Sequence, residues 1–245
     1  MSRHEFFVGY LPASVSVRRL GLVTACVLCL ASVLLATMLG RTGPDIGASD
    51  FGEEISAEGV FVAQPYPMLI ARPDAAHPNG RTFLLAGEGK RGAQEFGPGL
   101  DGRNARLQGI LVKRGDIDMA LVSAGEQLRR LNEAAPAPIA VSLGRWRIAG
   151  EICDGKCAAG GMRPGVGLAH KACANLCVSG GLPPVLVSAA PVAGRSHFLL
   201  GSADGGPVPT TVYDLMATPV LLEGELYRRG DLLVYLVDWK GAKRL

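Results

Sequence analysis

The sequence predicts a mainly β protein, in which one N-terminal transmembrane helix is followed by two tandem small β-barrel modules. Three observations lead to this fold class: a charge-free apolar segment near the N-terminus, a turn-rich composition with 33 glycines and 16 prolines among 245 residues, and a pattern of short apolar runs that occurs twice. Short apolar runs bounded by glycine and proline favour strands over long helices. A chain of this length has room for one large or two small domains.

Residues 20–40 form the predicted transmembrane helix. The twenty residues 20–39 carry no charged side chain, and at about 1.5 Å per residue they span about 30 Å, the thickness of a bilayer's hydrocarbon core. Arginines precede this segment, whereas mainly acidic residues follow it. Because the positive flank of such a helix stays in the cytoplasm, residues 1–19 are predicted to be cytoplasmic and the rest of this single-pass bacterial inner-membrane protein periplasmic. The alternative is a cleaved signal peptide, against which the length of the apolar segment argues.

The part of the chain after the helix contains an internal repeat. Each copy ends in a Gly-x5-Gly-Asp pattern, at residues 109–116 in the first copy and 224–231 in the second. The Arg-Gly-Asp that closes each pattern fits a tight hairpin turn, in which glycine supplies a positive φ and aspartate bonds back to the chain. Apolar runs of four to seven residues predict four or five strands in each copy, which suits a small barrel of the OB type. We therefore expect OB-like modules at residues 55–124 and 143–240.

Shorter segments connect these elements. Residues 41–54 are predicted to be a linker, and residues 125–142 a helix followed by a stiff Pro/Ala-rich linker. The helical pattern itself covers residues 123–132. Residues 210–216, which precede a proline-started apolar run, predict a one- or two-turn helix that plugs the end of the second barrel.

The second copy carries an insertion between its first two strands. The distance from the glycine of the first strand to the proline of the second is 8 residues in the first copy (59–67) and 34 in the second (150–184). The insertion forms a loop at residues 154–180. Four of the six cysteines and one of the four histidines lie within the 25 residues 153–177, and function is often added to a scaffold in such a loop.

Four residues of this loop form the predicted metal site, namely Cys157, His170, Cys173 and Cys177. Three thiolates and one imidazole make a tetrahedral set typical of Zn²⁺, with Cu(I) or an iron–sulfur centre as alternatives. Cys173 and Cys177 are four residues apart, so they point the same way if this segment is helical, and His170 stands one turn before Cys173. Cys153, at the end of the preceding strand, is left outside the set.

Two other interpretations of the cysteines stay open. In an oxidising periplasm the four cysteines could pair as disulfides that tie down a glycine-rich loop, and closing one loop of this length contributes about 3 kcal/mol in the chain-entropy model. The third interpretation is a reactive thiol pair. It would make the chain a thiol- or metal-dependent oxidoreductase using Cys157, Cys173 or Cys177.

The loop resembles a block found in bacterial membrane-anchored proteins of unassigned function. That block has the form D-x-K-C, M-x-P-G, H-x-x-C-A and C-[IV]-x-G-G-x-P-P, and the matching segments are residues 154–157, 162–165, 170–174 and 177–184. Cys153 falls where the block has an aliphatic residue. The resemblance implies no activity.

More loosely, an anchor followed by an external OB-type barrel is similar in architecture to the haem chaperone of cytochrome c maturation. The His-Asp-Glu-x-Tyr haem segment of that family does not follow Val237. The similarity therefore implies an anchored architecture without haem delivery.

Composition and motifs exclude several classes of partner. A net charge of +3 without a block of basic residues does not predict nucleic-acid binding. Residues 87–92 match G-x-G-x-x-G, but the Gly- and Pro-containing continuation cannot form the helix that a nucleotide site needs. No nucleophile–base pattern is visible. We expect a non-enzymatic accessory or assembly subunit, held in the inner membrane by one helix and docked to a larger membrane protein complex such as an electron-transfer system.

Overall fold

The computed structural model describes residues 7–8, 11–12, 14–42, 49–123, 127–132, 140–162 and 165–245. The chain divides into two compact units, residues 1–46 and 47–245. The predicted Pro/Ala-rich linker at residues 133–138 lies outside the described residues.

The N-terminal unit contains one long helix, α1, at Val15–Thr42. Two short strands precede it, β1 at Phe7–Val8 and β2 at Leu11–Pro12, which pair with each other. The hydroxyl of Ser14 accepts a hydrogen bond from the N–H of Val17 and so caps the first turn of the helix. The helix therefore begins upstream of the predicted boundary at residue 20, and its first turns carry two of the arginines that flank the apolar segment.

Helix α1 is long and apolar enough to cross a membrane. Its segment Val15–Met38 has a mean hydropathy of 2.4. The large apolar side chains of this segment are exposed, Leu22 to 68% and Leu30 to 71% of their surface. A continuous apolar surface of this length suits a lipid environment better than water.

The second unit consists of two five-stranded barrels with one additional strand each. The strands of the first barrel are β3 (Ser49–Val62), β4 (Met68–Ala71), β5 (Thr82–Ala86), β6 (Asn104–Arg114) and β7 (Ile117–Leu121), with β8 (Leu128–Arg130) beside β6. Those of the second are β9 (Val141–Asp154), β10 (Pro184–Val192), β11 (Arg195–Ser202), β12 (Pro219–Arg229) and β13 (Leu232–Val237), with β14 (Lys243–Arg244) beside β12. Two helices connect strands of the second barrel: α2 (Lys171–Ser179) lies between β9 and β10 in the sequence, and α3 (Val212–Leu215) lies between β11 and β12.

Both barrels have the same strand order. Pairing in the first runs β3-β4-β5-β7-β6 and returns to β3, and in the second it runs β9-β10-β11-β13-β12 and returns to β9. In each barrel the third and fifth strands pair in parallel and the other neighbours pair antiparallel. This is the connectivity expected of a Greek-key barrel of the OB type. The predicted fold class is confirmed: a mainly β chain with an N-terminal apolar helix and two small barrel modules.

The repeated glycine of the fourth strand is required by the close approach of the fifth. A Cβ atom on Gly109 would lie 2.5 Å from the carbonyl oxygen of Leu121, and one on Gly224 would lie 2.1 Å from that of Leu236. Real Cβ atoms do not approach a carbonyl oxygen so closely. The pattern that marks the repeat in the sequence therefore marks the same closing contact in both barrels.

The Arg-Gly-Asp turns join the barrels to each other. Gly115 and Gly230 have φ values of 57° and 60°, as the predicted hairpin turns require. The aspartates, however, do not bond back to their own turns as predicted. Asp116 accepts a hydrogen bond from the N–H of Ser196 (2.6 Å), and Asp231 accepts one from the N–H of Thr82 (2.7 Å). Each barrel thus uses its turn to hold the beginning of the other barrel's third strand.

The buried side chains form one core within each barrel and a third core shared by both. The shared core includes Met68 and Met119 from the first barrel and Val185 from the second. Cys153, Cys157 and Cys177 also belong to the shared core, whereas the two inner cores contain no cysteine among the described residues. The two modules therefore form one compact unit, and the cysteines lie where the barrels meet.

Three predicted segments differ from the structure or are refined by it. Residues 128–130 form strand β8 and not part of a helix, because Leu128 is buried and the segment finds a pairing partner on the open side of β6. Strand β3 begins at Ser49, inside the predicted linker 41–54, because it pairs with β6 from Ser49 to Val60. The predicted helix at 210–216 is present as α3 at Val212–Leu215, with Val212 and Met216 in the core of the second barrel.

Candidate metal centre

The inserted loop lies between β9 and β10 and folds into three short helical elements. They are a π-helical turn at Cys157–Gly161, a 3-10 turn at Leu168–His170 and helix α2. The corresponding connection of the first barrel, between β3 and β4, is only residues 63–67, whereas the insertion occupies residues 155–183. The predicted insertion at 154–180 is thus located between the first two strands of the second barrel.

Asp154, the last residue of β9, fixes the start of the insertion. Its Oδ1 accepts a hydrogen bond from the N–H of Cys157 (2.9 Å), which turns the chain immediately after the strand. Its Oδ2 lies 3.0 Å from Nε2 of His170, the residue before α2. Both side chains are buried, with exposed fractions of 0% and 2%. One carboxylate therefore holds together the two ends of the loop that carry the cysteines.

Three of the four predicted ligands converge. The Sγ atoms of Cys157, Cys173 and Cys177 all lie within 4.8 Å of one another. Cys173 and Cys177 stand one turn apart on helix α2, so the condition under which the sequence places them together is met, while Cys157 comes from the π-helical turn. A tetrahedral zinc with Zn–S bonds of about 2.3 Å places adjacent sulfur atoms about 3.8 Å apart. The three sulfur atoms could hold one ion with little movement.

His170, the fourth predicted ligand, lies in a different group. It is brought together with Cys153 and Asp154, whose ligand atoms all lie within 4.8 Å of one another and of the histidine ring. The helical spacing that predicts His170 beside Cys173 fails here, because residues 168–170 form a 3-10 turn and the helix starts only at Lys171. The buried carboxylate of Asp154 then orients the ring. The complete four-residue set therefore stays a prediction.

A lysine from the first barrel reaches two of the three thiols. Nζ of Lys90 lies 2.7 Å from Sγ of Cys173 and 3.5 Å from Sγ of Cys177. Nothing in the local sequence pattern around this lysine indicates a partner 83 residues away. Its glycine-rich surroundings, residues 87–92, are the only signal of a loop that can approach another backbone closely.

The loop that carries Lys90 is tied to the insertion by backbone contacts. The N–H of Gly92 donates to the carbonyl of Gly180 (2.8 Å). In the opposite direction, Nζ of Lys156 donates to the carbonyls of Gly87 (3.0 Å) and Gly89 (2.8 Å). The glycine-rich segment that resembles a nucleotide-binding motif is therefore an inter-barrel contact.

The electrostatics of the thiols favour one thiolate at the centre of the group. The hydrogen bond from Cys157 lowers the pKa of Cys177, and the positive charge of Lys90 adds to the effect against the cost of burial. The same hydrogen bond, together with burial, raises the pKa of Cys157. Cys177 is thus the first of this pair to lose its proton, and the thiolate is the form that binds metal.

The group has one open side. Cys157 and Cys177 are 4% and 2% exposed, whereas Cys173 is partly accessible and Met162, 44% exposed, places its sulfur 3.5 Å from Sγ of Cys173. All six cysteines lie in the described part of the chain, and all are free thiols.

In comparisons of the chain with known proteins, no family model, no curated protein and no solved structure matches it.

Proposed function

We propose that this chain is a membrane-anchored metal-binding protein, in which Cys157, Cys173 and Cys177 hold one soft metal ion outside the cytoplasm. Its role is that of a non-enzymatic accessory or assembly subunit of a larger membrane complex. The observation that carries the proposal is the convergence of three thiol groups from two separate elements within 4.8 Å. Helix α1, with arginines before it and acidic residues after it, supports the anchor and its orientation.

Three converging thiols favour a metal ion over a disulfide framework. A disulfide uses two sulfur atoms and would leave the third buried or half-buried beside it without a chemical role. A metal ion uses all three, and two of them lie in the apolar core shared by the barrels. Lys90 supplies a positive charge next to the site, as a buried set of thiolates requires.

Zn²⁺ remains the first candidate for the ion. It binds thiolates in tetrahedral geometry, and with His170 in another group its fourth position falls to water or to a partner's side chain on the Cys173 side. Cu(I) is the alternative, because three thiolates with a thioether nearby form a soft set. An iron–sulfur cluster is disfavoured, because it usually needs four cysteine ligands.

The test is to purify the full-length chain in detergent under anaerobic conditions and to measure bound metal, free thiols and the visible spectrum. We expect one equivalent of zinc or copper bound to the three thiols, and its loss in Cys177→Ser. Cys29→Ser, which removes a thiol from α1, is the matched control and should bind as the wild type does. Absence of metal together with blocked thiols outside α1 would replace the proposal by the disulfide framework, and an iron–sulfur chromophore would replace it by an electron-transfer site.

A thiol oxidoreductase is the second candidate, and one observation favours it. The pKa values of Cys157 and Cys177 move in opposite directions, as in pairs where one thiol attacks and the other resolves. Both sulfur atoms are buried, however, so a protein disulfide would reach them only if the loop opened. Reversible cycling of these two thiols by a dithiol reductant and a small disulfide, with no bound metal before the cycle, would favour the enzyme.

A further inference from the structure

A second group of metal-binding side chains lies beside the three thiols and shares none of its members with them. Sγ of Cys153, a carboxylate oxygen of Asp154 and a ring nitrogen of His170 are all within 4.8 Å of one another. Their residues are 1%, 0% and 3% exposed. Two come from the end of β9, and the third is the residue before α2.

The buried carboxylate of this group needs a cation. An ionised carboxylate without a positive partner is strongly disfavoured in an apolar core. Among the ion pairs of the described residues, the partner of Asp154 is His170, with Nε2 and Oδ2 separated by 3.0 Å. A hydrogen bond from the histidine ring meets part of this requirement, and a divalent ion between the same atoms meets it more fully because it also binds the sulfur of Cys153.

The distances suit an ion with one nitrogen, one oxygen and one sulfur ligand. Zinc bonds of about 2.0–2.1 Å to nitrogen and oxygen place these two atoms about 3.3 Å apart in a tetrahedral site. The observed 3.0 Å between Nε2 of His170 and Oδ2 of Asp154 requires an opening of only about 0.3 Å to reach that geometry. Asp154 would remain bound to the N–H of Cys157 through its other oxygen.

We propose that Cys153, Asp154 and His170 form a second metal site, specific for a divalent ion such as Zn²⁺. Binding displaces the proton of the Cys153 thiol and the hydrogen that lies between Nε2 of His170 and the Asp154 carboxylate, and it involves no change of oxidation state. The thiol of Cys153 gives up its hydrogen bond to the carbonyl of Gly165 when it binds the ion. Because the three side chains are buried, the ion enters while the loop is transiently open.

This site differs from the three-thiol group in its selectivity. A set with one thiolate, one carboxylate and one imidazole favours Zn²⁺, whereas three thiolates accept both Zn²⁺ and Cu(I). Because the two groups share no residue, a substitution can remove one site and leave the ligands of the other unchanged. Cys153→Ala removes a ligand from the second site only, and Cys173→Ser removes one from the first only.

The experiment is a zinc and cobalt titration of the metal-free full-length chain under anaerobic conditions. We expect two ions per chain in the wild type and in Cys29→Ser, and one ion in Cys153→Ala and in Cys173→Ser. With Co²⁺, Cys153→Ala should keep the intense sulfur-to-cobalt absorption of the three thiolates, and Cys173→Ser should lose most of it.

A wild-type chain that binds one ion, with the same stoichiometry in Cys153→Ala, would overturn the second site and leave the three-thiol site intact. One ion in the wild type that is lost in Cys153→Ala but kept in Cys173→Ser would overturn the three-thiol site instead. Circular dichroism checks that the variants fold. Should Cys153→Ala not fold, the wild-type stoichiometry and His170→Asn decide the outcome.

Discussion

The two barrels share a scaffold and differ in one connection. Both close in the same strand order, both need a glycine where the fourth strand meets the fifth, and both extend an Arg-Gly-Asp turn to the other. Only the second has a long segment between its first two strands, residues 155–183 against residues 63–67 in the first. The common features serve the fold. The difference supplies four of the six candidate ligands, while Cys153 and Asp154 lie at the end of the strand that precedes it.

The first barrel is nevertheless part of the site. Ala63 follows β3 at the position where Asp154 ends β9, so the first barrel has no carboxylate there. It contributes instead Lys90, whose ammonium group contacts two of the thiols of the second barrel. In this candidate site the second barrel supplies the thiol ligands, and the first barrel supplies the positive charge that compensates them.

The largest effect should follow from adding a methyl group to the repeated glycine. In Gly224→Ala the new Cβ would lie 2.1 Å from a carbonyl oxygen of the fifth strand, and in Gly109→Ala it would lie 2.5 Å from one. The backbone of the two strands must therefore move apart in both variants. We expect losses of about 4 and about 3 kcal/mol in the free energy of unfolding. Urea unfolding followed by circular dichroism measures both. Both tryptophans, Trp146 and Trp239, lie in the second barrel and report on that barrel separately.

Gly241→Ala is the control for these variants, because nothing lies within 4 Å of the position that its Cβ would take and no positive φ constrains it. Its unfolding free energy should stay within about 0.5 kcal/mol of the wild type. If Gly109→Ala and Gly224→Ala were equally harmless, the claim that the two barrels close by the same contact would have to be given up.

The second prediction concerns the carboxylate that only the second barrel has. Asp154→Asn leaves His170 buried without its charged partner, and breaking such a buried pair costs about 3 kcal/mol. Asp101→Asn is the matched variant in the first barrel, since Asp101 accepts a hydrogen bond from the N–H of Ala63 at an exposed position. We expect a loss below about 1 kcal/mol there, measured by the same denaturation. Equal losses would show that Asp154 is a turn residue only.

The comparison also shows which features could be predicted from the sequence. The strands, the barrels and the position of the insertion were predictable from local sequence. Short apolar runs mark the strands, the repeated Gly-x5-Gly-Asp pattern marks the two barrels, and the longer spacing between the first two strands of the second copy marks the insertion. The common direction of Cys173 and Cys177 was predictable on the condition that their segment is helical, and α2 meets that condition.

What could not be predicted depends on contacts between segments distant in sequence. Helical spacing predicts His170 beside Cys173, but Asp154 holds its ring at the end of β9. Leu128–Arg130 has a helical pattern and is a strand, because β6 offers it an edge. Lys90 approaches the thiols only because the Arg-Gly-Asp turns and the glycine-rich loop dock one barrel on the other.

The third prediction tests the reciprocity of the turn contacts. Asp116→Asn and Asp231→Asn should each weaken the interface by about 1–2 kcal/mol, because each removes a charged acceptor from a backbone N–H. The two sites differ in their surroundings. Asp116 also lies 3.5 Å from a guanidinium nitrogen of Arg195 and 3.5 Å from Nδ1 of His197.

These neighbours of Asp116 make the stability of its contact with Ser196 depend on pH. Burial would raise the pKa of Asp116, but hydrogen bonds from His197 and Ser196 and the charge of Arg195 outweigh it and hold that pKa below its ordinary value. A lowered pKa means that the contribution to stability is complete above the ordinary range of about 4 and is lost as the pH falls through the folded-state value. Between neutral pH and pH about 3, the wild type should therefore lose more stability than Asp116→Asn does. Parallel pH profiles of the two proteins would contradict this assignment.

The smallest predicted effect concerns the one contribution that the first barrel makes to the thiols. Removing the ammonium group in Lys90→Met should raise the pKa of Cys177, because that charge helps to lower it. In the metal-free chain at neutral pH, we expect alkylation of this thiol by iodoacetamide to slow about threefold, because a higher pKa leaves less of the reactive thiolate. Arg91→Met, which removes a neighbouring charge from the same loop, should leave the rate unchanged. Lys90 donates to the thiols, whereas Arg91 only adds positive charge nearby. An equal change of the alkylation rate in both variants would therefore mean that the first barrel acts through its overall charge and not through the contact of Lys90.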